Sequence, residues 1–269
     1  MKLVASGIKR YHTTACEALQ ALEVALGVER IPPHLRPYIF WQGETPNTLT
    51  LKRVLAGGVD VFLLEIVSSQ QFFCENVPLP DGLVSRKLVR PHGNALLRWY
   101  REVCLRGAAD EATVLAALES LPTGEAEKDD LAYFLRAIRM VRQGADEIAA
   151  SLRTLMSMAP GLWVVVGPFY IASEEGALMT ARKVLMADLK EAARRAGAIS
   201  YDPSELIEQF GRETVLRGQG TLIHHYSDEF LPTAGAALMD AVRQALASGS
   251  AAGAAEIPGA APNAFIGAP

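Results

Sequence analysis

The chain has 269 residues, 50% of them hydrophobic and 21% charged, which suits one large domain or two small ones with an ordinary core. A formal net charge of -4 gives no electrostatic basis for gripping nucleic acid or an anionic membrane. The three cysteines, Cys16, Cys74 and Cys104, are odd in number and widely spaced, so neither a disulfide framework nor a zinc pattern is implied.

In chain order, Lys2 to Ala5 reads as a short buried strand broken by Ser6-Gly7. A helix follows, capped by Thr13 or Thr14 and stopped at Gly27. After a proline-rich connection, Tyr38-Ile39-Phe40-Trp41 reads as a second strand, and Gly43 to Thr48 turns into a helix around Leu51 to Leu55. Asp60 to Ile66 is a continuous apolar run of the kind a central parallel strand shows. Gln70 to Pro91 is irregular in pattern. Asn94 to Ser157 reads as mostly helical, with Leu131, Phe134, Leu135, Ile138 and Val141 at core spacing. Leu162 to Val166 forms a fourth strand, Met179 to Arg195 a helix ending at Gly197, and Ala198 to Asp202 a fifth strand. Pro203 opens a helical turn, Thr221 to Phe230 is a loop, and Thr233 to Ala247 is the last helix. Ser248 to Pro269 reads as a disordered Ala/Gly/Pro-rich tail. The apolar runs are too short to span a bilayer and the N-terminus lacks a signal-peptide pattern, so a cytoplasmic protein is expected.

Alternating strands and helices imply an α/β fold: three layers, with a mostly parallel five-stranded sheet and a helical insert at about 94–157. Ligands in such sheets sit beyond the carboxyl ends of the strands, which directs attention to Ser6, Gly43, Ser68-Ser69, Gly167 and the segment before the last helix. That last segment holds His224-His225, and a histidine there could serve as general base, with Asp228 to orient it or to cap the helix. Zinc is the weaker reading, because no third ligand stands at a metal spacing. Arg86-Lys87 and Arg90 read as a solvated face. No GxGxxG or GxxxxGKS loop occurs, which argues against a nucleotide-binding transferase.

The order of these segments, from Tyr38 to Thr45 and Asp60 to Ser69 through Val164 to Pro168, Tyr201-Asp202-Pro203 and the His-bearing segment, resembles the SGNH (GDSL-type) hydrolases over about residues 2–247. The resemblance implies a flavodoxin-like fold and acyl transfer without metal or organic cofactor, acting on a small ester or an O-acylated carbohydrate. It makes Ser6 the nucleophile and His225 the base, with His224 second. It makes Gly43 an oxyanion donor together with Ser68 or Ser69. Thr13, Thr14 and Cys16 are rival nucleophiles at a helix N-terminus. The chain departs from the family pattern at three places. Ser6-Gly7 replaces Gly-Asp-Ser, Val67-Ser68-Ser69 replaces the Gly-x-Asn-Asp block, and Leu222 stands where an aspartate precedes the histidine. A non-catalytic protein on the same scaffold, binding a carbohydrate or a partner protein, is the alternative. No nucleic-acid or membrane partner is expected, and the oligomeric state stays open.

Overall fold

The computed structural model describes residues 14–28, 31–40, 59–119, 121–171, 179–218 and 222–247. The segments read as the first strand, Trp41, Gly43 and the helix around Leu51, and the C-terminal tail lie outside the described residues.

Helix α1 (Ala15–Leu26) begins where Thr14 Oγ1 accepts the Glu17 amide at 3.2 Å and ends at Gly27, whose φ of 76° is left-handed. The next segment corrects the sequence reading. Tyr38-Ile39 are not strand but part of a one-turn helix, α2 (Arg36–Ile39), with Pro37 in its first turn. Proline suits that position because the amide there needs no intrahelical partner. Phe40 closes it with its amide on the Arg36 carbonyl at 3.2 Å.

Strand β1 (Val61–Glu65) agrees with the expected apolar strand. The stretch after it is ordered rather than irregular. Strands β2 (Gln70–Cys74) and β3 (Val77–Leu79) form a hairpin whose turn residues, Glu75 and Asn76, have φ of 52° and 67°. Positive φ at both positions is what a two-residue turn matched to strand twist requires. Pro78 is tolerated because β3 is an edge strand. Helix α3 (Asp81–Val84) widens into a π turn (Ser85–Val89) and tightens into a 3-10 turn (Arg90–His92).

Helices α4 (Asn94–Glu102), α5 (Glu111–Glu119) and α6 (Glu125–Ala137) follow. Then comes β4 (Arg139–Arg142), a strand within the stretch read as helical. It pairs antiparallel with β2 in the order β3-β2-β4. Val141, expected in the core, is 46% exposed on this strand, whereas Leu131, Phe134, Leu135 and Ile138 are buried.

Helix α7 (Ala145–Met158) leads into β5 (Leu162–Val166), and α8 (Thr180–Ala196) into β6 (Ile199–Tyr201). The parallel sheet has the order β1-β5-β6, in register from Val61 opposite Leu162 to Glu65 opposite Val166. Among the described residues it has three strands, not five. Alternation along the strands then makes three layers. Leu64, Trp163 and Val165 face Leu22 of α1, Leu152 of α7 and Leu189 of α8. On the opposite side, Leu162 and Val164 meet Val242 and Ala245 of the last helix. At the end of β5 the sheet and α8 come so close that a Cβ on Gly167 would lie 2.2 Å from Met186 Sδ.

Helices α9 (Ser204–Phe210) and α10 (Arg212–Val215) precede a two-stranded ribbon, β7 (Leu216–Arg217) with β8 (Leu222–Tyr226). Helix α11 (Leu231–Ala247) closes the described chain. The segment read as a loop before the last helix is therefore strand β8, and His224-His225 are strand residues.

The antiparallel sheet has its own core. Phe72, Leu79, Val89, Leu96, Tyr100, Val114 and Leu135 pack together with Val24, Leu35 and Phe40. The chain leaves the parallel sheet after β1 and returns before α7 at one place, where the Gln143 amide donates to the Ser69 carbonyl at 2.7 Å.

Candidate functional site at the carboxyl ends of the parallel strands

The carboxyl ends of β1, β5 and β6 fall on one edge, set by the register of Glu65 opposite Val166 and Val166 opposite Tyr201. Ser68 and Ser69 follow β1 directly, both half-buried. Ser68 Oγ accepts the Gln70 amide at 3.0 Å, a local turn that starts β2. The Thr14 hydroxyl is spent differently: it donates to Gln71 Oε1, and the Gln71 amide group donates to the Phe72 carbonyl at 2.7 Å. With no exposed surface and its hydroxyl bonded, Thr14 ties the start of α1 to β2 and is not placed to attack a substrate. Cys16, the other rival on α1, is half-buried and is not in a disulfide.

After β5 the chain runs Gly167-Pro168-Phe169-Tyr170. The Gly167 amide donates to the Tyr201 carbonyl at 3.1 Å, extending the β5–β6 ladder past the strand end. Phe169 then packs with Leu206, Ile207, Val215, Leu216 and Phe230, and this small cluster seats the β7–β8 ribbon on the edge. The Tyr226 ring meets Phe169 edge to face with centroids 4.9 Å apart. The Tyr226 phenol is pushed far up by burial and then by the charges of Tyr201 and Glu65. His225, one residue before Tyr226 on β8, is exposed.

A polar network missed by the sequence reading sits beside β6. Asp202 is 4% exposed and accepts from Lys190 Nζ at 2.8 Å, the Tyr170 hydroxyl at 3.2 Å and the Ser204 amide at 3.0 Å. The Tyr170 amide in turn donates to Ser204 Oγ at 2.8 Å. Lys190 is held above its usual range by the bond to Asp202, and Tyr170 is raised by burial and then by Asp202. The Tyr201 hydroxyl is buried without a hydrogen-bond partner. The signal available in the sequence was the placement of Tyr170 and Asp202 just past two strand ends. Lys190 lies in mid-helix, and nothing in its neighbourhood marks it.

Ser6 and Gly43 lie outside the described residues. The two carboxylates that could have replaced the missing aspartate are engaged elsewhere. Asp202 serves the network above, and Asp228 pairs with Arg217 across the ribbon. Neither is hydrogen-bonded to His225. Among the described residues no group of three or more His, Cys, Asp or Glu is placed to hold a metal ion, and no helix is long and apolar enough to cross a membrane.

Fold and edge together define an α/β protein with a parallel sheet flanked by helices, with polar and aromatic side chains past the ends of β5 and β6. The chain belongs to the TviD N-terminal domain family, whose model matches residues 1–241. A relative, the Vi polysaccharide biosynthesis protein TviD of Salmonella typhi, is 22% identical over 221 residues, which cover 81% of this chain and 26% of the relative. The chain thus spans about a quarter of that relative's length. No solved structure matches it.

Proposed function

We propose that the chain is a carbohydrate-directed acyltransferase or esterase module of SGNH-like organisation. The observation that supports this reading is the packing of Tyr226 of β8 on Phe169, three residues past the end of β5, with His225 next to Tyr226 along the strand. The order β1-β5-β6 also equals the last three strands of the doubly wound order 2-1-3-4-5. The name of the Salmonella relative supplies the carbohydrate direction.

In this reading Ser6 Oγ attacks the acyl carbonyl and gives its proton to His225. Amides at Gly43 and at Ser68 or Ser69 hold the oxyanion. Collapse expels the first alcohol with the proton from His225. A sugar hydroxyl or water then takes the acyl group from Ser6 by the reverse sequence, with no cofactor. A fluorophosphonate probe should label Ser6, and His225→Ala should lower turnover of p-nitrophenyl acetate by about a hundredfold or more. Folded protein that neither labels nor cleaves the ester sinks the catalytic reading.

One observation favours the non-catalytic alternative, a carbohydrate-binding module on the same scaffold. Asp202 and Asp228 are both committed to other partners, so His225 lacks an orienting acid among the described residues. Glycan binding without turnover is its expected result.

A further inference from the structure

The second core carries a cleft of about 640 Å³, within the usual size of a small-molecule site. Its walls are the turn before α2 with His34, α2 with Tyr38, the β2–β3 turn with Glu75, and α6 with Asp130, Tyr133 and Phe134. The floor includes Lys87 and His92 from the π and 3-10 turns that follow α3.

Three properties restrict what fits. The first is aromatic surface. Phe134 is the hub of an edge-to-face group, with Tyr38 at 4.8 Å, Tyr133 at 6.1 Å and His34 at 6.2 Å. Tyr133 lines the cleft and is 45% exposed, so part of its ring is open. The second is a fixed acceptor. Glu75 Oε1 takes both the Tyr133 hydroxyl and His34 Nε2, the latter at 3.0 Å, so Oε2 is left to accept from a ligand. Those bonds hold the Glu75 carboxyl below its usual range. The third is charge. The carboxylates of Glu75, Glu127 and Asp130 outnumber the Lys87 ammonium, which already donates to the Pro37 and Phe40 carbonyls at 2.8 and 2.9 Å, and two of them face histidines, Glu75 with His34 at 3.0 Å and Glu127 with His92 at 3.8 Å. With His34 and His92 neutral, an anion such as a phosphate or a uronate would be repelled.

We propose that this cleft is a glycan subsite for one or two uncharged pyranose residues, with the Tyr133 ring against a C–H face and Glu75, His34 and Asp130 on hydroxyls. A pyranose offers this combination of an apolar face and a rim of paired donors. The subsite stands on another core from the carboxyl edge, so it would hold a glycan chain rather than react with it. It rests on the carbohydrate half of the proposed function and not on Ser6 or His225.

The test is binding of maltotriose and chitotriose to the whole chain, by calorimetry and by saturation-transfer NMR, with trigalacturonate and spermidine as controls. At least one neutral sugar should bind, and Tyr133→Ala and Glu75→Gln should each weaken it about tenfold. Tyr133→Phe, which keeps the ring, should lose less. All three variants should keep the parent melting behaviour and parent turnover of p-nitrophenyl acetate. No binding by either neutral sugar, binding indifferent to Tyr133→Ala and Glu75→Gln, or preference for spermidine or trigalacturonate overturns the subsite. Loss of ester turnover in the parent protein instead counts against the acyl-transfer reading alone.

Discussion

Gly167 shows what a single missing side chain does for the site. Met186 of α8 lies against the bare backbone at Gly167, two residues before Phe169 of the small cluster. Gly167→Ala is expected to destabilise by about 1–3 kcal/mol, the usual range for overpacking a core. Met186 is 2% exposed, so its own truncation leaves a cavity. In Gly167→Ala/Met186→Ala the two defects should partly cancel. A double-mutant cycle by urea denaturation that shows simple additivity would remove the steric explanation. Glu75 makes the complementary point. A non-glycine residue in the left-handed region costs about 1–2 kcal/mol, yet here it places a carboxylate between Tyr133 and His34. Of the proposed site residues, His225 was singled out in the sequence because two histidines precede the last helix, though their segment reads as a loop and is strand β8. The Lys190–Asp202–Tyr170 network and the Glu75 cleft were not, since each gathers residues 30 or more positions apart or from separate elements.

At the scale of elements, what could be read was what was apolar and capped. β1, β5, α8 with its Gly197 stop, and the turn after Pro203 were all expected from continuous hydrophobic runs or terminal signals. β4 escaped because Arg139-Met140-Val141-Arg142 lies at a sheet edge with little buried face, so no alternation betrays it. β8 escaped because its strand partner among the described residues is the two-residue β7. Tyr38-Ile39 carried strand propensity that packing against Phe134 overrode. The cap of α1 supplies a prediction at this scale. Thr14→Ala deletes the bond to the Glu17 amide and leaves Gln71 Oε1 buried without its donor. A loss of about 2–3 kcal/mol is expected from a missing cap together with an unsatisfied acceptor. Thr14→Ser should recover most of it in chemical denaturation. Equal losses for both substitutions would mean that the hydroxyl is not what matters.

Across the whole molecule, two of the three thiols lie in one core. Cys74 and Cys104 both belong to the cluster behind the antiparallel sheet, and burial pushes each thiol up to about 11. A thiol with a raised folded pKa binds its proton more tightly in the native state. Its contribution to stability is therefore complete below about pH 8.5, the unfolded value, and is lost as pH rises toward the folded value. The urea midpoint should fall across that alkaline window. Cys74→Ala/Cys104→Ala, though less stable at neutral pH, should show a shallower fall. A parallel decline in parent and variant would locate the alkaline sensitivity elsewhere. The three-layer arrangement around the parallel sheet was legible from alternation of element types. The separate antiparallel core was not, because its helices and its strands look from sequence like decoration on one fold.

The contact of Gln143 with Ser69 has an evolutionary side. Residues 70–142 depart from the parallel sheet and rejoin it at points one hydrogen bond apart. Insertions or deletions between those points leave the pairing of β1 with β5 untouched. That segment, which supplies most of the cleft lining besides His34 and Tyr38, can therefore change in length among relatives without redrawing the parallel sheet.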